Sequence, residues 1–176
     1  MKYLIIAQNY PPEIGPVRYT YDLANSLNEQ GHNITVITGI PHYPTNNVYP
    51  EFVRNKVSVK NENGIEVIRT PLLLASNTQP IKRILGFITF FFSAIPQLLK
   101  NMDAHLLIVS IPPLNVLFLG ILTKLLFRIP FIALLRDFEP YSTFNTRGLL
   151  NNRFLYIVTK LISKLYKYAD AVVVVH

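Results

Sequence analysis

The sequence predicts an α/β fold built on a doubly wound, mostly parallel sheet. Two observations carry this. Lys2 to Thr38 reads as one complete βαβ unit, and short apolar runs then alternate with helical segments to the end of the chain. Most of these runs are almost continuously hydrophobic, as expected of strands covered on both faces. The 176 residues are about the length of one domain and can bury a substantial core.

Tyr3 to Ala7 is the first such run. Tyr19, Leu23 and Leu27 then recur at helical spacing, Gly31 ends that helix, and Ile34, Val36 and Ile37 open the next strand. A proline-rich loop runs from Gly39 to Pro50. Val57 to Val59 and Ile65 to Ile68 flank Asn63-Gly64, a strong hairpin signal. Pro80 to Lys100 reads as a very apolar helix interrupted by Pro96, and Leu106 to Val109 as a strand. A second apolar helix starts at Pro113 and ends near Arg128, and Phe131 to Leu135 is a strand that runs into Arg136-Asp137. Arg153 to Lys167 is amphipathic, and Ala171 to Val175 is a strand of the buried type. The chain stops just beyond it, at His176, which is expected of a fragment.

Composition narrows the function classes. Half the residues are hydrophobic, 15% are charged and the net charge is +7, so nucleic acid or an anionic membrane surface is an expected partner. Zero cysteines exclude a disulfide framework and thiolate chemistry, and fit a cytoplasmic protein. The first apolar run is too short for a signal peptide.

In such sheets ligands bind beyond the carboxyl ends of the strands, where the loop Gln8 to Val17 falls. It holds one glycine, Gly15, among Pro11, Pro12 and Pro16, so it is neither a dinucleotide fingerprint nor a P-loop. Two readings of Gly15 stay open: a close backbone approach to a ligand, or a turn that needs positive φ. Asp137 and Glu139 follow a strand at the same edge. A carboxylate there can orient a hydroxyl or accept a proton, or it can cap a loop beside Arg136. His42, in the Gly39–Pro50 loop, can hydrogen-bond a polar ligand. His32 and His105 fall at strand starts on the opposite edge. The four histidines have no metal-ligand spacing, so no metal is expected, and no nucleophile elbow exists.

Ile84 to Leu99, flanked by Lys82-Arg83 and Lys100, is shorter than the roughly 20 residues that span a bilayer. Phe90, Phe91 and Phe92 cannot all face one sheet, so part of this helix is expected at a lipid interface through Phe90 and Phe92. Lys160, Lys164 and Lys167 share one face of the later helix, while Phe154, Val158, Leu161, Ile162 and Leu165 lie on another. A solvated basic face is the ordinary meaning of that pattern, and an anionic membrane surface is the functional one. Nucleic acid is not expected, because neither helix interleaves exposed aromatics with basic residues.

Several segments together resemble the family 4 glycosyltransferases of the GT-B fold. They are Tyr10-Pro11-Pro12-Glu13-Ile14-Gly15 followed by Arg18 and Gly31-His32; Thr38-Gly39-Ile40-Pro41-His42-Tyr43-Pro44; Ser110-Ile111-Pro112-Pro113-Leu114; Arg136-Asp137; and Ala169-Asp170-Ala171. The resemblance is strongest to bacterial enzymes of O-antigen, colanic acid and capsule assembly. It implies that residues 1–176 are the N-terminal, Rossmann-like acceptor domain, with a C-terminal donor-binding domain outside this chain. It implies a retaining hexosyl or N-acetylaminosugar transferase acting from a nucleotide sugar, as substrate and with no cofactor, onto a polyprenyl-diphosphate-linked saccharide. The cytoplasmic face of the cell membrane is the expected location.

By the same resemblance Gly15 and Arg18 lie near the donor phosphates. His42, Tyr43, Arg136 and Glu139 belong to the acceptor side, and Asp137 is the acceptor-orienting residue in the catalytic position. Two positions depart from the family pattern: Glu139 stands where a tryptophan is common, and His42 where asparagine is frequent. A non-catalytic Rossmann-like binding module is the competing expectation.

Overall fold

The structure, a computed structural model, describes residues 1–15, 17–53, 56–74, 80–136 and 152–175, without the side chains of residues 80, 81, 83, 152–156 and 158. Seven strands form one sheet: β1 (Lys2–Ala7), β2 (Asn33–Gly39), β3 (Ser58–Glu62), β4 (Ile65–Thr70), β5 (Leu106–Ile111), β6 (Phe131–Leu135) and β7 (Ala171–Val174). Their order is β3-β4-β2-β1-β5-β6-β7, and only β3 is antiparallel. The described helices are α1 (Arg18–Glu29), α2 (Pro80–Leu99), α3 (Asn115–Phe127) and α4 (Asn152–Leu165), the last followed by a 3₁₀ turn at Tyr166–Tyr168.

The continuous apolar character of β1 follows from this layering. Leu4 and Ile6 point into the core shared with α2 and α3, while Ile5 points into the core shared with α1. The β3–β4 turn uses Asn63 and Gly64 at φ 55° and 86°, as a two-residue hairpin requires.

Several expectations are corrected. On α1 the fully buried positions are Thr20 and Ala24, small residues that let the helix sit close to the sheet, while Tyr19 is exposed. Pro96 does not interrupt α2: the helix continues to Leu99, and the proline is on its exposed side. Phe90 is fully buried and only Phe92, at 64% exposure, faces outward. The docking of α2 explains this. A Cβ on Gly86 would stand 2.6 Å from the Leu73 carbonyl oxygen, and Ser93 Oγ donates to the Pro71 carbonyl at 2.7 Å, so the helix turns this side, with Phe90, inward. Leu161, expected on the apolar face, is exposed like Lys160, Lys164 and Lys167. β7 is not buried on both faces: it pairs with β6 at the sheet edge, and all four residues are exposed.

Asp170 ties this edge together. Its Oδ1 accepts from Lys124 Nζ at 2.7 Å and its Oδ2 from the Phe131 backbone N–H at 2.9 Å, joining the end of α3 to the starts of β6 and β7. The lysine hydrogen bond first, and the Phe131 N–H second, hold its carboxyl below the ordinary aspartate pKa. A depressed carboxylate stabilises the fold above its unfolded pKa, and that contribution is lost as pH falls through the folded pKa. Asp170→Asn is therefore expected to be less stable than the parent at pH 7, with the difference vanishing on acidification below the ordinary aspartate range. Urea unfolding across pH 2–7 checks this.

Candidate functional site

Six parallel strands deliver their carboxyl ends to one edge, and the order of connection reverses between β1 and β5. In sheets of this kind that reversal is the place where ligands bind. Gln8, buried at the end of β1, organises this edge. Its backbone carbonyl accepts from Gly39 N–H at 3.0 Å and from Thr38 Oγ1 at 3.3 Å. Its side-chain oxygen accepts from Asn115 Nδ2 at 3.3 Å, and the same amide donates to the Phe87 carbonyl of α2 at 2.9 Å. Nearby, the buried hydroxyls of Thr20 on α1 and Ser110 on β5 are 2.9 Å apart, which ties α1 to β5.

Two buried charges brace the loop that follows β1. Arg69 on β4 is fully buried and donates from Nη1 and Nη2 to the two carboxylate oxygens of Glu62, at 2.7 and 3.1 Å. Nη2 also donates to the Pro11 carbonyl at 2.7 Å, and the guanidinium is 4.8 Å from the centre of the Phe52 ring. Tyr10 lies beside this group with its ring 5.9 Å from that of Tyr21. Burial, followed by the Glu62 charge and Tyr21, pushes its phenol pKa up against the opposing effect of Arg69, so the hydroxyl stays neutral. The second brace is Glu13, whose carboxylate accepts from Asn9 Nδ2 at 2.9 Å and from the backbone N–H groups of His42 and Tyr43 at 2.7 and 2.8 Å.

The residues expected from sequence distribute as follows. Gly15 adopts φ +99°, which accounts for glycine here by conformation, and a Cβ would meet nothing within 4 Å. Arg18 begins α1, with its side chain 84% exposed and 3.5 Å from Asp22. His42 is half-buried against Glu13, and Tyr43 is exposed. The structure thus brings Gly15, Arg18, His42 and Tyr43 to one edge. Arg136 is at the same edge beyond β6, where its backbone N–H donates to Ile111 O at 2.9 Å and its Nη2 to Pro112 O at 3.1 Å. Asp137 and Glu139 lie outside the described residues.

His32 and His105 are on the opposite edge, the first packed on Tyr3 and the second accepting from the Lys2 backbone N–H. Sequence reasoning missed Arg69 and the roles of Glu13, Gln8 and Asn115. An arginine inside the apolar run Ile65-Glu66-Val67-Ile68-Arg69 was the one available signal, since a buried guanidinium needs a partner.

Residues 15–176 match Glycosyltransferase Family 4, and the chain belongs to that family. Over 102 residues it is 32% identical to WcaI of Escherichia coli (strain K12), a protein named as a colanic acid biosynthesis glycosyl transferase. That match covers 57% of this chain and 25% of WcaI. The crystal structure of Acinetobacter baumannii MurG aligns with 98% of the chain and 40% of MurG, at 16% identity and a TM-score of 0.44. The chain therefore spans well under half the length of either protein.

Replacing Arg69 with methionine keeps the apolar stem but leaves Glu62 and the Pro11 carbonyl without their donor. Because Glu62 is partly exposed, the cost is expected near the lower end for a broken buried pair, about 2–3 kcal/mol. Urea unfolding measures it, and a loss below about 0.5 kcal/mol, the ordinary surface value, contradicts the bracing role.

Proposed function

We propose that this chain is the acceptor-side half of a GT-B glycosyltransferase that moves a sugar from a nucleotide sugar to a polyprenyl-diphosphate-linked saccharide in bacterial surface polysaccharide assembly. One observation carries the reading: two loops, at Gln8–Val17 and Gly39–Pro50, are locked together at the switch-point edge of a family 4 domain. A rigid pair of loops there suits recognition of a saccharide presented from the side. The donor phosphates would approach Gly15 and Arg18, and the acceptor His42, Tyr43, Arg136 and Glu139. Asp137 would orient the acceptor hydroxyl in a retaining transfer, with a C-terminal domain holding the nucleotide sugar. The name of WcaI supports a polysaccharide role.

A lipid-linked acceptor also fits the helical side of the sheet. Ile84, Ile88 and Phe92 form an exposed stripe at helical spacing on α2, and Lys82 is exposed near its start. On α4, Ile157 and Leu161 are exposed, as are Lys160 and Lys164 on the same helix and Lys167 in the 3₁₀ turn that follows. Among the described residues no helix is long and apolar enough to cross a membrane. The attachment proposed for these residues is peripheral, on an anionic cytoplasmic leaflet, with each lysine contributing on the order of 1 kcal/mol.

Titration with UDP-N-acetylglucosamine and with a prenyl-diphosphate-linked N-acetylglucosamine tests the acceptor reading. Binding of the lipid-linked sugar alone is expected, whereas binding of neither points to a non-catalytic module. For the membrane, the triple change of Lys160, Lys164 and Lys167 to glutamate is expected to release the chain from vesicles containing phosphatidylglycerol while the fold persists. Phe92→Ser should weaken vesicle binding independently of salt at a stability cost within about 0.5 kcal/mol. Phe90→Ala should instead cost about 3–5 kcal/mol of stability, measured by urea unfolding. A parent that ignores anionic vesicles ends the membrane proposal.

A further inference from the structure

Glu13 sits between the exposed residues Pro12 and Ile14, yet its own side chain is only 1% exposed. A carboxylate withdrawn from water this far needs N–H donors to replace its hydration. It has three, and two of them, from His42 and Tyr43, come from a loop 29 and 30 residues away. The two loops at the ligand edge therefore share one charged group.

The His42 ring extends the arrangement. Its Nδ1 lies 2.9 Å from the Ile40 carbonyl oxygen and 3.4 Å from Glu13 Oε1. The Ile40 carbonyl can only accept, and an ionised Glu13 can only accept, so the proton of a neutral ring belongs on Nδ1. That leaves Nε2 as the acceptor nitrogen, and it has no hydrogen-bond partner among the described residues. A ring held by one nitrogen with the other free is the arrangement by which enzymes present an imidazole to a substrate hydroxyl.

We propose that Glu13 is a positioning residue. It holds the His42–Tyr43 segment against the loop after β1 and orients the His42 ring so that Nε2 accepts a hydrogen bond from a hydroxyl of the incoming saccharide. This rests on the acceptor reading above. Glutamine at position 13 can still accept from the two backbone N–H groups through its amide oxygen, whereas alanine offers them nothing.

The test uses the 176-residue chain labelled with ¹⁵N. In the parent, ring-nitrogen shifts of His42 are expected to report the Nδ1–H tautomer. In Glu13→Ala the amide protons of His42 and Tyr43 are expected to exchange at least tenfold faster, while those of Ile5 and Val36 in the strands keep their rates. Glu13→Gln should stay within threefold of the parent. Affinity for prenyl-diphosphate-linked N-acetylglucosamine should fall at least tenfold in Glu13→Ala and in His42→Ala, and recover in Glu13→Gln.

His42→Ala keeps the carboxylate and both backbone donors, so it tests the ring even if Glu13→Ala fails to fold. Unchanged exchange at His42 and Tyr43, or an Nε2–H tautomer in the parent, overturns the proposal. So does equal probe affinity in the parent and His42→Ala, which leaves the acceptor reading standing. A parent that does not bind the probe at all overturns the acceptor reading, and the saccharide contact falls with it.

Discussion

β1 has a parallel neighbour on each side and side chains buried on both faces, so its interior residues can meet nothing but the core. Polar groups become available only past its carboxyl end, at Gln8. The rest of the ligand edge depends on this constraint. Gln8 joins the end of β2 through its carbonyl and the start of α3 through its side chain, so the positions of three elements follow from where β1 stops. The strand order reverses beside it, the position where sheets of this kind take their ligands.

Loops at such an edge are exposed and carry few apolar contacts, so burial of hydrophobic surface cannot hold them still. Here two charges withdrawn from water do so instead. Arg69 reaches from inside the sheet to the Pro11 carbonyl, and Glu13 reaches from the loop to two backbone N–H groups of its neighbour. Each buried charge is compensated by three hydrogen bonds, from Nη1 and Nη2 of Arg69 and to both carboxylate oxygens of Glu13, because an uncompensated one costs several kcal/mol. A loop held in this way has few alternative positions, which lowers the ordering cost when a ligand arrives.

The two sides of the sheet are used differently. α1 lies on one side with Thr20 and Ala24 close against the strands, while α2, α3 and part of α4 contribute to the larger core on the other. That second helical layer is apolar beyond what the core consumes, and the surplus appears as Ile84, Ile88 and Phe92 on α2, with Ile157 and Leu161 on α4. The ligand edge and this apolar layer meet at Asn115, which donates to both Gln8 and the Phe87 carbonyl.

Element types and their order were legible in the chain because they rest on local periodicity and local turn chemistry. The hairpin at Asn63-Gly64 and the strand Phe131–Leu135 follow from neighbours in sequence. The edge that carries His42, Tyr43, Gly15 and Arg18 was legible too, since strand ends in a parallel sheet share one side. Other features needed the tertiary structure. The inward turn of Phe90 depends on Gly86 and Ser93 meeting residues 71–73, and the exposure of β7 depends on its place at the sheet edge. The burial of Glu13 and Arg69 depends on partners 29 and 58 residues away. The sequence by itself determined which segments are strands and helices, because that is decided over a few residues. Only the tertiary structure decided which charges are buried and which phenylalanine faces out, because both are properties of surfaces that form when distant segments meet.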